Sequence, residues 1–294
     1  MDSFSITQLA QLSGVKAHTI RIWEKRYGAL NPLRSEGNTR YYNGEHLRRL
    51  LNLVSLIEEG YRISELAAKD DSEIASLILK LLLQEERTEL SPFVSQLIAA
   101  GVDYRESAFQ QILSHCLLRF GVERSYKQLI HPLLTRLGIM WAGNILTPGQ
   151  EHFISNMIRQ KLLTATDALP VPVSIQRKWI LFLPEDEYHE FGLLYAQYII
   201  RKAGDQVFYL GANVPVEALE SVSESVNASF LLFFLVHRDS LETVQAYLDQ
   251  LNRKFPDKTI YIGASEAKKK GVRLHKQMKW LSSAEDLENN SQES

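Results

Sequence analysis

Four short apolar runs, at residues 179–183, 207–210, 230–236 and 259–262, constrain the fold of this chain more than any other feature. Helical stretches at 192–202, 216–222 and 240–251 lie between them. A run that is apolar throughout must be buried on both faces, and the intervening helices supply the cover. Such alternation predicts a parallel sheet with a helix layer on each side, an α/β fold of the Rossmann-like, flavodoxin-like kind.

Upstream of residue 169 the texture is helical. Phe109, Ile112, Leu113, Cys116, Leu117 and Phe120 recur at helical spacing, as do Tyr126, Leu129, Ile130, Leu133, Leu134 and Leu137, which predicts an all-α, four-helix-type bundle. Thr147-Pro148-Gly149-Gln150 reads as a helix start, with Thr as cap, Pro in the first turn and Gln closing a capping box. Leu169-Pro170-Val171-Pro172 reads as a linker. The expected domains are 1–71, 72–172 and 173–294, and the polar tail 285–294 is expected to fray.

The first domain differs again. Ser5-Ile6-Thr7-Gln8 is a capping box that opens a helix with Ile6, Leu9 and Ala10 on one face. Gly14 breaks it, and a second helix over 17–27 buries Ile20 and Trp23. This is a helix-turn-helix whose second helix suits a DNA major groove. Its other face offers His18, Thr19, Arg21, Lys25 and Arg26. Pro32 and Gly37 then punctuate two short extended arms, a wing that carries Arg34, Arg40 and Tyr41. Cations and hydroxyls there suit phosphate or minor-groove contact.

Charge fits this division. The whole chain has net charge −2, yet residues 1–50 hold eight Lys and Arg (Lys16, Arg21, Lys25, Arg26, Arg34, Arg40, Arg48, Arg49) against Asp2, Glu24, Glu36 and Glu45. The single cysteine, Cys116, excludes an intrachain disulfide, and Met1-Asp2-Ser3-Phe4 has no signal-peptide character. No apolar run reaches the roughly 18 residues of a membrane span. A cytoplasmic protein with no membrane partner is expected.

Gly14-Val15, Thr19-Ile20-Arg21-Ile22-Trp23-Glu24-Lys25-Arg26-Tyr27-Gly28, Leu30, Pro32, Arg34 and Arg40-Tyr41-Tyr42 resemble the head of the MerR family of regulators, and the match runs over residues 5–68. The resemblance implies a homodimer on a palindromic double-stranded operator between promoter elements, with RNA polymerase as a neighbour. It implies that Arg21, Tyr27, Arg40 and Tyr41 touch the DNA backbone while His18 and Thr19 lie near base edges. The short cysteine-bearing tail of many metal-sensing members is absent from the sequence after the head, which argues against thiolate metal sensing.

Two further motifs follow. Glu187-Tyr188-His189-Glu190-Phe191-Gly192 comes directly after the first strand of the α/β part, where parallel sheets bind ligands. Its imidazole could ligate a metal with a nearby carboxylate orienting it, though six residues alone also read as a surface histidine in a strand-to-helix loop. Together with Tyr209-Leu210-Gly211-Ala212-Asn213-Val214-Pro215 after the second strand and Gly263-Ala264 after the fourth, the motif resembles the cobalamin-binding domain of methionine synthase and the cobalamin mutases. That resemblance implies His189 as the lower ligand of cobalt, Glu187 behind it, and a groove beside the sheet, near Gly192, Phe234 and Gly263, for the nucleotide tail. The second motif is Trp141, then nine residues, then Glu151-His152. By themselves a helical Trp reads as core and Glu-His as a solvated cap. Placed between a MerR-type head and a cobalamin-type domain, they resemble the light-sensing CarH/LitR type of regulator, and so imply an upper pocket for adenosylcobalamin made by Trp141, Glu151 and His152.

Three positions depart from those families. Phe234 stands where a Ser is usual, Ala264 where a second Gly is usual, and Ala142 where the light-responsive type has a His that captures cobalt. The sequence reading is therefore a non-enzymatic transcription regulator, dimeric or tetrameric, in which adenosylcobalamin controls assembly and operator binding, with light as the signal. Two others stand beside it. One is a MerR-type regulator with a degenerate cobalamin domain, switched by another ligand or a protein partner; the other, more remote, is a corrinoid-dependent methyl carrier or mutase component.

Overall fold

A computed structural model describes residues 4–13, 15–34, 40–58, 60–74, 76–77, 88–142, 146–171, 177–236 and 240–281. The wing tip at 35–39, Gly14, the expected domain boundary at 172–173 and the tail lie outside the described residues. The chain divides into two compact units, Met1–Asn156 and Met157–Ser294.

In the first unit, α1 (Ile6–Ser13) and α2 (Ala17–Tyr27) form the helix-turn-helix. The capping box forms as the residue types dictate: the Ser5 N–H donates to Gln8 Oε1 (2.8 Å) and the Gln8 N–H to Ser5 Oγ (3.2 Å). Helix α2 ends at Gly28, whose φ of 65° is left-handed and admits a glycine without strain. Strands β1 (Leu33–Arg34) and β2 (Arg40–Tyr41) pair antiparallel as the stem of the wing. Helices α3 (Gly44–Glu58) and α4 (Ile63–Leu66) complete the head. Arg49, one of the basic residues of the head, is structural. Its guanidinium donates to the carbonyls of Ala29 (2.8 Å), Ala67 (3.3 Å) and Lys69 (2.8 Å) and pairs with Asp71 (2.5 Å).

The bundle follows: α5 (Ser91–Val102), α6 (Glu106–Phe120), a third helix and α9 (Pro148–Asp167). The third helix runs through α7 (Val122–Ser125), a π-helical turn at Tyr126–Ile130 and α8 (His131–Ala142). The helix start at Thr147 forms, with the Thr147 N–H donating to Gln150 Oε1 (2.9 Å) and the Gln150 N–H to Thr147 Oγ1 (3.3 Å). Ile139 of α8 packs against a head cluster that includes Ala29, Leu53, Leu56 and Leu66, so head and bundle share a core.

The second unit holds β3 (Lys178–Phe182), α10 (Phe191–Lys202), β4 (Gln206–Gly211), α11 (Val216–Val226), β5 (Phe230–Leu235), α12 (Leu241–Lys254), β6 (Thr259–Ala264), α13 (Glu266–Lys269) and β7 (Met278–Leu281). The sheet order is β4-β3-β5-β6-β7 with every pairing parallel, which is the flavodoxin-like order. Strands β3, β5 and β6 are largely buried, as expected, whereas β4, at the edge of the sheet, is only half-buried along 206–210, contrary to the expectation for the apolar run there. Ile180, Phe182, Leu231, Phe233, Ile260 and Ile262 form one face with Leu219 of α11 and Leu248 of α12. Strand β7 is an addition to the expected set of strands. Among the described residues, no helix is long and apolar enough to cross a membrane.

Candidate functional site

Two sites emerge, one in each unit. The first is the exposed face of the head. His18, Arg21, Ile22, Lys25 and Arg26 are exposed on α2 at helical spacing, while Thr19 and Tyr27 are half-buried and Ile20 is fully buried. Arg34 and Arg40 stand directly opposite each other on the wing stem, both exposed, with Tyr41 half-buried. Arg21, Lys25 and Arg26 of α2 and Arg34 and Arg40 of the wing stem are thus all exposed, as a helix-turn-helix with a wing needs.

Sequence reasoning missed what joins them. Tyr42, fully buried, donates its hydroxyl to Glu24 of α2, and burial against that carboxylate pushes the phenol well above its ordinary range. The other Glu24 oxygen lies 3.8 Å from Nε of Arg40. The N–H groups of Phe4 and Tyr42 each donate to the other's carbonyl (2.7 and 2.9 Å), so the chain before α1 is tied to the wing as well. One acid on a basic helix face was the available signal, and alone it is ambiguous.

The second site lies at the C-terminal edge of the parallel sheet. In this strand order β3 sits between β4 and β5, so the chain crosses to opposite sides after β3 and after β5, and the loops there leave a crevice. His189 is in the loop after β3. Its Nδ1 lies 2.6 Å from Glu187 Oε1, which also accepts the N–H groups of Tyr188 (3.0 Å) and His189 (3.1 Å). Glu187 Oε2 accepts the N–H of Val236 (2.8 Å), at the end of β5. The carboxylate is thus buried, with 4% of its side chain exposed, yet solvated by the protein itself. The imidazole is 63% exposed. A proton on Nδ1 would be donated to Glu187 and leave Nε2 of this exposed ring as the acceptor, the arrangement of a metal-ligating histidine with its carboxylate orienter.

The loop is braced from two sides. Asn213, after β4, accepts the N–H of Asp186 on its side chain (3.1 Å) and donates its own N–H to the Glu187 carbonyl (3.2 Å). Glu190 accepts the Tyr209 hydroxyl (3.0 Å) and pairs with Arg159 of α9. Burial beside that carboxylate keeps the Tyr209 phenol protonated far above its ordinary range. Phe234, one of the expected groove residues, is partly buried and its ring reaches Gly192 and Gly263, the other two. Ala264 packs against the sheet core.

Among the described residues no three His, Cys, Asp or Glu side chains come together as a metal cage. His189 is a single imidazole, which could hold a metal only if that metal brought its remaining ligands with it. Trp141 is 47% exposed at the end of α8, too open for a core tryptophan. His152 is 75% exposed in the first turns of α9, its Nδ1 2.7 Å from Glu151, which also accepts the Ser155 hydroxyl.

Residues 4–72 match the MerR HTH family of regulatory proteins. The chain is 28% identical over 271 residues to the HTH-type transcriptional repressor CarH of Myxococcus xanthus, covering 90% of each chain. It is 30% identical over 97 residues to the HTH-type transcriptional regulator CueR of Vibrio cholerae, covering 32% of this chain and 70% of that one. Among solved structures, the monomethylamine corrinoid protein of Methanosarcina barkeri superposes with a TM-score of 0.55 at 14% identity, over 69% of this chain and 98% of that one. That last likeness is one of fold.

Proposed function

This chain belongs to the MerR family of helix-turn-helix regulators, and from that premise we propose that it is a cytoplasmic transcription regulator whose DNA binding is set by a corrinoid held at His189. The observation that carries the reading is the Glu187–His189 pair at the strand crossover of the sheet, an exposed imidazole on a carboxylate that is itself hydrogen-bonded to the end of β5. The residues present fit a metal-ligating role: an exposed imidazole with a buried carboxylate behind it would hold the metal of such a group. The match to the transcriptional repressor CarH over 90% of each chain supports a transcription regulator here.

In its finer form the reading takes the ligand as adenosylcobalamin, which when bound supplies a cobalt centre and a light-sensitive cobalt–carbon bond. Trp141, Glu151 and His152 of the bundle are the residues we assign to its upper side. The exposed Trp141 indole offers an apolar surface, and the Glu151–His152 pair offers a hydrogen-bonding one. Ala142 has no nitrogen to offer a metal, so it would not serve as a second protein ligand to the group. The assembly responding is a homodimer, or a tetramer formed from two dimers, on a palindromic operator within reach of RNA polymerase. Ligand and DNA then act on each other through that assembly, each favouring one state.

The test is a visible spectrum of the full chain after incubation in the dark with excess adenosylcobalamin and gel filtration. Corrinoid absorbance is expected to co-elute, and His189→Ala to alter or abolish it. No co-eluting absorbance, with adenosylcobalamin and cobinamide alike, would sink the reading. An unchanged spectrum in His189→Ala would move the ligating atom elsewhere.

A further inference from the structure

We propose that Phe234 makes the His189 site prefer corrinoids without a nucleotide tail and hold a cobalamin more weakly, with its tail outside the sheet, an inference that rests on the corrinoid reading above. The crevice in question lies at the C-terminal ends of β3, β5 and β6, beside the N-terminus of α10. Gly192 lines it from the helix and Gly263 from the strand, and neither has a side chain to fill it. In this protein the space is already taken. A Cβ built on Gly263 would lie 2.2 Å from Cδ1 of Phe234 and 2.3 Å from Cε1, and one built on Gly192 would lie 3.2 Å from Cε1. Phe234 and Gly263 are also direct partners in the β5–β6 register, so the ring is held over the neighbouring strand by the backbone that carries it.

The glycines therefore accommodate the protein's own aromatic ring. A second flat group, such as a nucleotide base, enters between them only if the Phe234 ring leaves, giving up its contacts with both backbones in an interior with little free volume. His189 is not affected by this obstruction. Its imidazole is exposed and is oriented through Glu187, on hydrogen bonds that do not involve Phe234. A macrocycle can sit over Nε2 while nothing enters the sheet. The two halves of the site thus discriminate by chemistry: the ring and metal are accepted, and an inserted tail is opposed.

Equilibrium dialysis and visible titration of the full chain with aquacobinamide, which has no nucleotide, and with hydroxocobalamin, which has one, test this. Wild type is expected to bind cobinamide at least about tenfold more tightly, a difference of about 1.4 kcal/mol. Phe234→Ser should bring the ratio to about one or invert it. Phe234→Leu, which keeps much of the bulk, should retain the preference, and thermal melting by circular dichroism checks that both variants fold. Equal affinities in wild type would overturn the proposal, as would a ratio that Phe234→Ser leaves unchanged. So would a wild type that binds neither corrinoid while Phe234→Ser binds cobalamin. If wild type and both variants bind neither, the corrinoid reading itself falls.

Discussion

Glu187→Ala is expected to cost the α/β unit about 2–4 kcal/mol of stability and to weaken metal ligation at His189 by about 10–100-fold. The Glu187 carboxylate accepts three backbone N–H groups, from Tyr188, His189 and Val236, as well as the His189 Nδ1–H. Deleting it strands those donors where the carboxylate was buried. Water reaches only part of the loop, because His189 is exposed and Glu187 is not. The imidazole then turns freely and either nitrogen can carry the proton. Glu187→Gln should fall between. Its amide oxygen keeps some of the acceptor role, but its NH2 group must face either the Val236 N–H or the His189 side. Chemical denaturation and titration with aquacobinamide measure the two effects separately. A variant with wild-type stability and wild-type ligand affinity would mean that the carboxylate does not organise this loop.

Glu24→Ala should lower operator affinity about tenfold and cost the head about 1–3 kcal/mol. Tyr42 is fully buried and its hydroxyl loses its acceptor. The wing stem, of which Arg40 is part, loses its tie to the recognition helix. Glu24→Gln separates two opposed effects. It keeps an acceptor for Tyr42 but removes the charge beside Arg40, which is 49% exposed and thus already reaches solvent. The freed guanidinium should raise affinity for DNA of any sequence slightly and steepen the salt dependence by up to about one unit of slope. Fluorescence anisotropy at several salt concentrations resolves both. If Glu24→Ala binds its operator as tightly as wild type at every salt concentration, the wing does not depend on this carboxylate.

The parts of the fold that could be read from sequence are those whose residues face one environment along their whole length. Strands β3, β5 and β6 are buried on both sides, so their runs are apolar throughout. Strand β7 alternates, with Lys279 exposed and Met278 and Leu281 buried, because it closes the edge of the sheet, and so it escaped notice. The π-helical turn at Tyr126–Ile130 was equally hidden, since its apolar spacing is compatible with an ordinary helix. At the sites, side-chain chemistry with a fixed local spacing was legible: Glu187 with His189, and the exposed face of α2. What escaped came from elsewhere in the chain. Val236 contributes only a backbone N–H, which no residue type reveals, and Arg159 reaches Glu190 from a different helix. That Phe234 adds bulk was plain from its type, whereas the contact of its ring with Gly192 and Gly263 depends on strand register and on where α10 starts.

The central claim is that a corrinoid at His189 governs DNA binding by the head. Its most direct test is the affinity of the full chain for a palindromic fragment that the protein itself selects from random DNA, measured with and without saturating corrinoid. The account predicts a change in Kd of about tenfold in wild type and none in His189→Ala. An identical Kd in both conditions, with the corrinoid demonstrably bound to wild type, would contradict it.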